Sequence, residues 1–207
     1  MAGIADVDCL VLTGGLGTRL GSARPKPMAL VGARPVLAFV LDELCRNGAQ
    51  HVTLSLGHGA SEIMLWAAND RSALQFHCLN HACSQPKGTL HAVAFCKSIL
   101  TSDPVLILNG DTLLRADLGS FLDEFRSTNA QASFLCNDVG DHSGVYLISR
   151  AALAAVVSLQ QQYKLLEHAM AHIRANRIVS LRCVFHDVGT PERLATAPEF
   201  VKRFLEL

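Results

Sequence analysis

Cys9 to Leu12 is a short apolar run that leads into Thr13-Gly14-Gly15-Leu16-Gly17-Thr18-Arg19-Leu20, and Pro25-Lys26-Pro27-Met28 follows closely. An apolar strand that ends in glycines and then in fixed cations can hold a polyphosphate. The glycines let backbone N–H groups approach the oxygens, and the cations offset their charge. Pro25 and Pro27 restrict φ on both sides of Lys26, so its ammonium is held with less backbone freedom to lose.

Spacing excludes two common phosphate loops. A Walker A loop requires G-x-x-x-x-G-K-[ST], but here Lys26 lies between two prolines. The dinucleotide fingerprint G-x-G-x-x-G requires a glycine where Leu20 stands, and an acidic residue closing the second strand where Gly57-His58 stands. Neither an NAD enzyme nor a P-loop ATPase fits.

Apolar runs and helical periodicities alternate along the rest of the chain. Strands are expected over Val7 to Thr13, His51 to Leu56, Leu74 to Leu79, Pro104 to Leu108, Ala132 to Cys136, Gly144 to Ile148 and Val179 to Phe185. Helices are expected over Val36 to Arg46, Ser61 to Ala68, Thr89 to Leu100 (capped by Thr89) and Leu118 to Arg126. Further helices are expected over Ala151 to Gln161, Lys164 to Ala175 and Pro191 to Leu205. Such alternation predicts an α/β chain with a largely parallel sheet covered on both faces. Ligands then sit at the carboxyl ends of the strands, so chemically loaded residues should follow strands.

Two aspartates do so. Asn109-Gly110-Asp111-Thr112 closes the most apolar strand, and Asp187 in His186-Asp187-Val188-Gly189-Thr190-Pro191 closes the last one. Mg²⁺ takes one or two carboxylates, several waters and substrate phosphate oxygens, so an aspartate at a strand end beside a phosphate loop suits it. Two histidine pairs at i, i+4 spacing, His77/His81 and His168/His172, read as non-metal sites. The first pair begins in a strand, and the second has no third ligand nearby.

The combination G-G-x-G-T-R-L with P-K-P-M, N-G-D and D-V-G-T-P resembles the sugar-1-phosphate nucleotidyltransferases, and among them the short D-glycero-D-manno-heptose 1-phosphate guanylyltransferases. The resemblance implies a single-domain Rossmann-like fold of the nucleotide-diphospho-sugar transferase type, a three-layer sandwich around a mixed, mostly parallel sheet spanning residues 1–207. It also implies that Leu12, Gly14, Gly15, Gly17 and Thr18 wrap the nucleoside triphosphate, with Arg19 and Lys26 on its phosphates. Arg19, Lys26 and Asp111 are then the catalytic set, and Asp111 with Asp187 holds Mg²⁺. Ser84-Gln85-Pro86-Lys87-Gly88-Thr89 resembles the family's base-reading segment, which assigns Gln85, Gly88 and Thr89 to the nucleotide. His142-Ser143-Gly144-Val145-Tyr146-Leu147 resembles its sugar-facing strand, which assigns Gly144, with Asn109, to the sugar.

The chain departs from the family pattern in two places. Leu90-His91 stands where glycines are frequent, and no Glu-Lys pair occurs between Cys136 and His142. Arg115, Lys87 and Arg150 are candidates for holding the acceptor phosphate instead. The implied reaction joins a nucleoside monophosphate, GTP being the first-choice donor, to a heptose or hexose 1-phosphate with release of pyrophosphate. A transferase for a non-sugar phosphate such as phosphocholine, and a nucleotide-binding regulatory subunit, are the alternatives.

Composition narrows the partners. The 207 residues are 50% hydrophobic, enough for a sizeable core, and carry 18 Lys+Arg against 18 Asp+Glu. No basic surplus points to nucleic acid, and no apolar run reaches membrane-spanning length. Met1 to Asp6 has no cationic n-region, so no signal peptide is expected. Seven cysteines without a C-x-x-C pair suggest a reducing, cytoplasmic setting without disulfides. Nucleoside triphosphate and sugar 1-phosphate are the expected partners, with a homodimer left open.

Overall fold

The central strand β1 (Cys9–Leu12) is completely apolar, as a strand covered on both faces must be. The computed structural model describes residues 3–21, 24–69, 74–80, 88–179 and 183–205. After β1 come a small hairpin, β2 (Leu30–Val31) and β3 (Arg34–Pro35), then α1 (Val36–Arg46), β4 (His51–Leu56), α2 (Ala60–Asn69) and β5 (Gln75–Asn80). Next are α3 (Thr89–Cys96), β6 (Val105–Asn109), β7 (Thr112–Arg115), α4 (Leu118–Ser127), β8 (Ala132–Cys136) and β9 (His142–Ile148). The chain continues through α5 (Arg150–Ser158), α6 (Leu166–Met170), β10 (Ala175–Val179), β11 (Val184–Asp187) and α7 (Pro191–Phe200).

Among the described residues the main sheet has seven strands in the order β10-β8-β9-β6-β1-β4-β5. β1 runs parallel to β4 and β6, while β9 runs antiparallel to β6 and β8. The sheet is therefore mixed and mostly parallel, as expected. Alternation along each strand feeds two separate apolar layers. Cys9, Val11, Leu106, Leu108, Val145 and Leu147 face the layer made by α1, α2, α4 and α7. Leu10, Val105, Ile107, Tyr146 and Ile148 face the layer made by α3, α5 and α6. This is a three-layer sandwich.

Helix α1 shows the local logic. Val36, Leu37, Phe39, Val40, Leu41 and Leu44 recur at helical spacing and are all buried, and the helix stops at Asn47 before Gly48 at φ 83°. Its one buried charge, Glu43, is 3% exposed and fully engaged. Arg46 pairs with it at 2.5 Å, Arg115 reaches it at 3.3 Å, and the Ala116 N–H donates to it at 2.8 Å. That network fastens α1 to β7. It also occupies Arg115, which sequence reading offered as a cation for the acceptor phosphate.

Other expectations change. The helix expected over Lys164 to Ala175 is only the short α6, because Ala175 to Val179 pairs in parallel with β8 as β10. Sheet pairing between distant segments overrides local helical pattern here. β7 was unforeseen. It exists because β11 lies antiparallel to it, with Asp187 opposite Thr112. The strand expected from Val179 to Phe185 crosses residues 180–182, outside the described set, and β11 itself begins at Val184. Thr89 does not cap α3; Gly88 precedes that helix without a side-chain cap. The Thr89 hydroxyl instead accepts the Leu166 N–H at 2.9 Å, holding α6 against α3. The closing helix ends at Phe200 and continues as a wider π-turn over Val201–Leu205, just after Pro198, whose ring nitrogen cannot donate to the helix ladder.

Candidate functional site

The site forms where β1 and β6 end side by side. Their register pairs Leu12 with Asn109, so the glycine loop and the Asn109-Gly110-Asp111 turn leave one edge of the sheet together. The start of the loop is pinned to β4: the Thr13 N–H and hydroxyl both donate to Ser55 O, at 3.1 and 2.8 Å. Gly110 donates to Leu12 O at 3.0 Å. A Cβ at position 110 would lie 2.9 Å from that oxygen and 2.8 Å from Thr13 Cγ2, so only glycine allows the two turns this approach.

Lys26 sits in a single 3₁₀ turn (Lys26–Met28) opened by Pro25. It is buried, 9% exposed, and its Nζ donates to Asp111 Oδ2 at 2.7 Å. A buried ammonium needs such a counter-charge, and the pair sits at the junction of the two strand ends. Asp187 arrives from β11. A Cβ placed on Gly189 would be 2.8 Å from Asp187 Oδ2 and 3.2 Å from Lys26 Nζ, so Asp187 lies beside the Lys26–Asp111 ion pair. Asp187 is in turn bound by Arg193 Nη1 at 2.5 Å. Val188 donates to Asp111 O at 3.3 Å, which ties the two acidic turns together.

Two cavities meet at this junction. The smaller, about 240 Å³, is lined by Leu12, Gly14, Gly15, Gly88 and Thr89 together with Lys26, Asn109 and Asp111. The larger, about 1030 Å³, opens on the other side of the same three residues and takes in Arg19, Gly144, Glu167, Asp187 and Arg193. Its floor is aromatic. The rings of Phe134, His142 and Tyr146 lie 4.8 to 5.7 Å apart. Burial foremost, and then the nearby Glu167 carboxylate, push the Tyr146 hydroxyl well above the usual phenol range. Gly144, at φ 76°, has Asn109 against it; a Cβ there would come within 2.5 Å of Asn109 Nδ2.

The residues picked from sequence are therefore largely brought together. Leu12, Gly14, Gly15, Gly88, Thr89, Lys26, Asn109 and Asp111 line the small cavity; Arg19, Asn109, Gly144, Asp111 and Asp187 line the large one. Gly17 and Thr18 line neither, though Gly17, at φ 64°, lies against the Lys26 side chain. Gln85 and Lys87 lie outside the described residues. Arg150 is at the start of α5, its Nη1 donating to Thr101 O at 3.2 Å, and does not line the large cavity. Sequence reading missed Arg193, Glu167 and the aromatic floor.

Residues 9–178 match the MobA-like NTP transferase domain. The chain belongs to that family. Among curated relatives of this NTP transferase, the D-glycero-alpha-D-manno-heptose 1-phosphate guanylyltransferase of Aneurinibacillus thermoaerophilus is 24% identical over 205 residues, covering 97% of this chain and 86% of its own length. A mannose-1-phosphate guanylyltransferase of Mycobacterium tuberculosis is 33% identical over 138 residues, which is 65% of this chain and 38% of that protein. Like that enzyme, the bifunctional GlmU proteins are matched over only 25% and 35% of their length in Chromohalobacter salexigens and Polaromonas, so the chain spans well under half of these relatives. Among solved structures, HddC from Yersinia pseudotuberculosis complexed with GMP-PN superposes with a TM-score of 0.78 at 22% identity, over 94% of this chain and 99% of that one. The inositol-1-phosphate CTP transferase from T. maritima gives 0.78 at 14% identity, over 98% and 97% of the two chains. At such identities the likeness establishes the fold, and it agrees with the nucleotide-diphospho-sugar transferase architecture read from the sequence.

Proposed function

We propose that this NTP transferase moves a nucleoside monophosphate from a nucleoside triphosphate onto a sugar 1-phosphate, releasing pyrophosphate, with GTP and a heptose or hexose 1-phosphate as first-choice substrates. The observation that carries this reading is the junction: two cavities of different size and lining meet at Lys26, Asn109 and Asp111. A reaction that joins two anions needs two pockets sharing one set of charge-stabilising groups. The guanylyltransferase names of the relatives support the choice of substrates.

In this reading the nucleoside lies in the small cavity, against Leu12, Gly88 and Thr89. Backbone N–H groups of Gly14 and Gly15, with Gly17 and Thr18 shaping the loop, cradle the triphosphate, and Arg19 reaches its outer phosphates. The acceptor's phosphate oxygen attacks the α-phosphorus, the bond to the bridging β-phosphate oxygen breaks, and pyrophosphate leaves. A phosphate monoester is already nucleophilic, so no Ser-His or Cys-His device is required. Lys26 stands where charge builds and stabilises it, while Asn109 and Gly144 position the sugar. Asp111 and Asp187 fit Mg²⁺: both carboxylates line the large cavity, and Mg²⁺ takes one or two carboxylates and completes its shell with water and phosphate oxygens. When bound there, the ion would offset phosphate charge.

Six described cysteines are outside any disulfide, and no helix among the described residues is long and apolar enough to cross a membrane. A cytoplasmic enzyme acting on small molecules accords with both. The test is pyrophosphate release from GTP, ATP, CTP, UTP and dTTP, each offered with a panel of sugar 1-phosphates and with phosphocholine. Release with sugar phosphates alone is expected. Release with phosphocholine alone, or nucleotide binding without turnover, would replace the proposal.

A further inference from the structure

With Arg19 and Lys26 given to the triphosphate, the acceptor's phosphate needs another cation, and two of the sequence candidates, Arg115 and Arg150, are engaged elsewhere. Arg115 is engaged with Glu43 and with the carbonyl oxygens of Phe204 and Leu205, each at 2.8 Å. Arg150, at the start of α5, donates to Thr101 O. Lys87 is outside the described residues. Among the described residues, the lysines and arginines that line the large cleft are Arg19, Lys26 and Arg193.

We infer that Arg193 receives the phosphate group of the acceptor. This rests on reading the large cleft as the acceptor side. Arg193 is a built position rather than a loose surface arginine. Its N–H donates to the Thr190 hydroxyl at 3.3 Å, its carbonyl is bonded to His186 Nε2 at 2.7 Å, and its Nη1 donates to Asp187 at 2.5 Å. The His186 ring is itself stacked on Phe200, 5.6 Å between centroids, which fixes that anchor. The Asp187 contact thus aims the guanidinium, while the Thr190 cap and His186 of β11 hold the backbone that carries it. The side chain is still 58% exposed, and the one bond to Asp187 uses one of five N–H donors. A planar fork with donors to spare matches two oxygens of a phosphate at once. Asp187 therefore does double duty: it faces Lys26 on one side and steers Arg193 on the other.

Equilibrium binding to the full chain tests this with α-D-mannose 1-phosphate, α-D-glucose 1-phosphate and phosphocholine, using unphosphorylated mannose and GTP as controls. Arg193→Gln should weaken the phosphorylated acceptors by about thirtyfold and Arg193→Lys by about fivefold, as expected for charge-assisted hydrogen bonds. Mannose and GTP binding should change by no more than about twofold, because their contacts are elsewhere. Thermal unfolding of each variant checks that it is folded. Unchanged acceptor affinity, equal weakening of GTP and acceptor, or no binding of any phosphorylated acceptor to the unsubstituted protein would each overturn the assignment. If mannose 1-phosphate binds through Arg193 yet no nucleotide gives pyrophosphate, the arginine keeps its role and the transferase reading falls.

Discussion

The two cavities that meet at Lys26 are built by different means. The small one is set by local sequence: glycines at 14, 15 and 88 leave room in it, and it lies where β1 and β6 end. The large one is lined by residues from β6, β7, β8, β9, α6, β10, β11 and α7 as well as Arg19 and Lys26, scattered from Arg19 to Arg193. A glycine loop offers N–H groups that any polyphosphate can use. A side-chain-built cleft can be re-lined residue by residue, so acceptor choice can change while the donor side and the fold persist.

The largest effects should come from the shared junction. Lys26→Ala and Asp111→Ala should each lower turnover by at least about a hundredfold, since each removes a charged group from the place where both substrates meet. Steady-state pyrophosphate release measures this, and circular dichroism shows whether the variants are folded. Near-normal turnover in either would separate the junction from the chemistry.

Gly110→Ala tests the close approach of the two turns beside the donor pocket. The added methyl meets Leu12 O and Thr13 Cγ2 below 3.0 Å, so the two turns must part. Overpacking of this kind costs about 2 kcal/mol, read by urea unfolding, and nucleotide affinity should fall with it. Intact stability and affinity would mean that the close approach is dispensable.

Arg115→Met is the most discriminating change, since it should affect stability alone. It leaves Glu43 buried with fewer partners and should cost about 2 kcal/mol, or about 4–8 °C in Tm for a chain of this size. The acceptor KM should not move. A selective rise in that KM would return Arg115 to the acceptor site and weaken the case for Arg193.

The same contrast explains what the sequence disclosed. Helix α1 and strand β4 fall at the residues expected from periodicity, because their apolar faces are local and regular. The donor residues are legible for a related reason: glycines, prolines and a lysine within one short stretch carry their chemistry in their order. β7 and β10 were not legible, since each depends on a partner far away in the chain, β11 for β7 and β8 for β10, whereas the strand expected before Asp187 overlaps β11 at Val184 and Phe185. Arg193 was missed because an arginine in the first turn of a polar helix has the pattern of a solvated surface. The one signal that could have found it was its place two residues after Asp187-Val188-Gly189-Thr190-Pro191, which turns the chain back onto the same carboxylate.

The central claim is that one product spans both cavities, with its diphosphate at Lys26. A crystal structure with GDP-mannose tests it most directly. The account predicts the nucleoside between the glycine loop and Gly88-Thr89, the diphosphate beside Lys26 and Asp111, and the sugar over Gly144 toward the Phe134–His142–Tyr146 floor. A nucleoside lodged in the large cleft, or a diphosphate remote from Lys26, would contradict it.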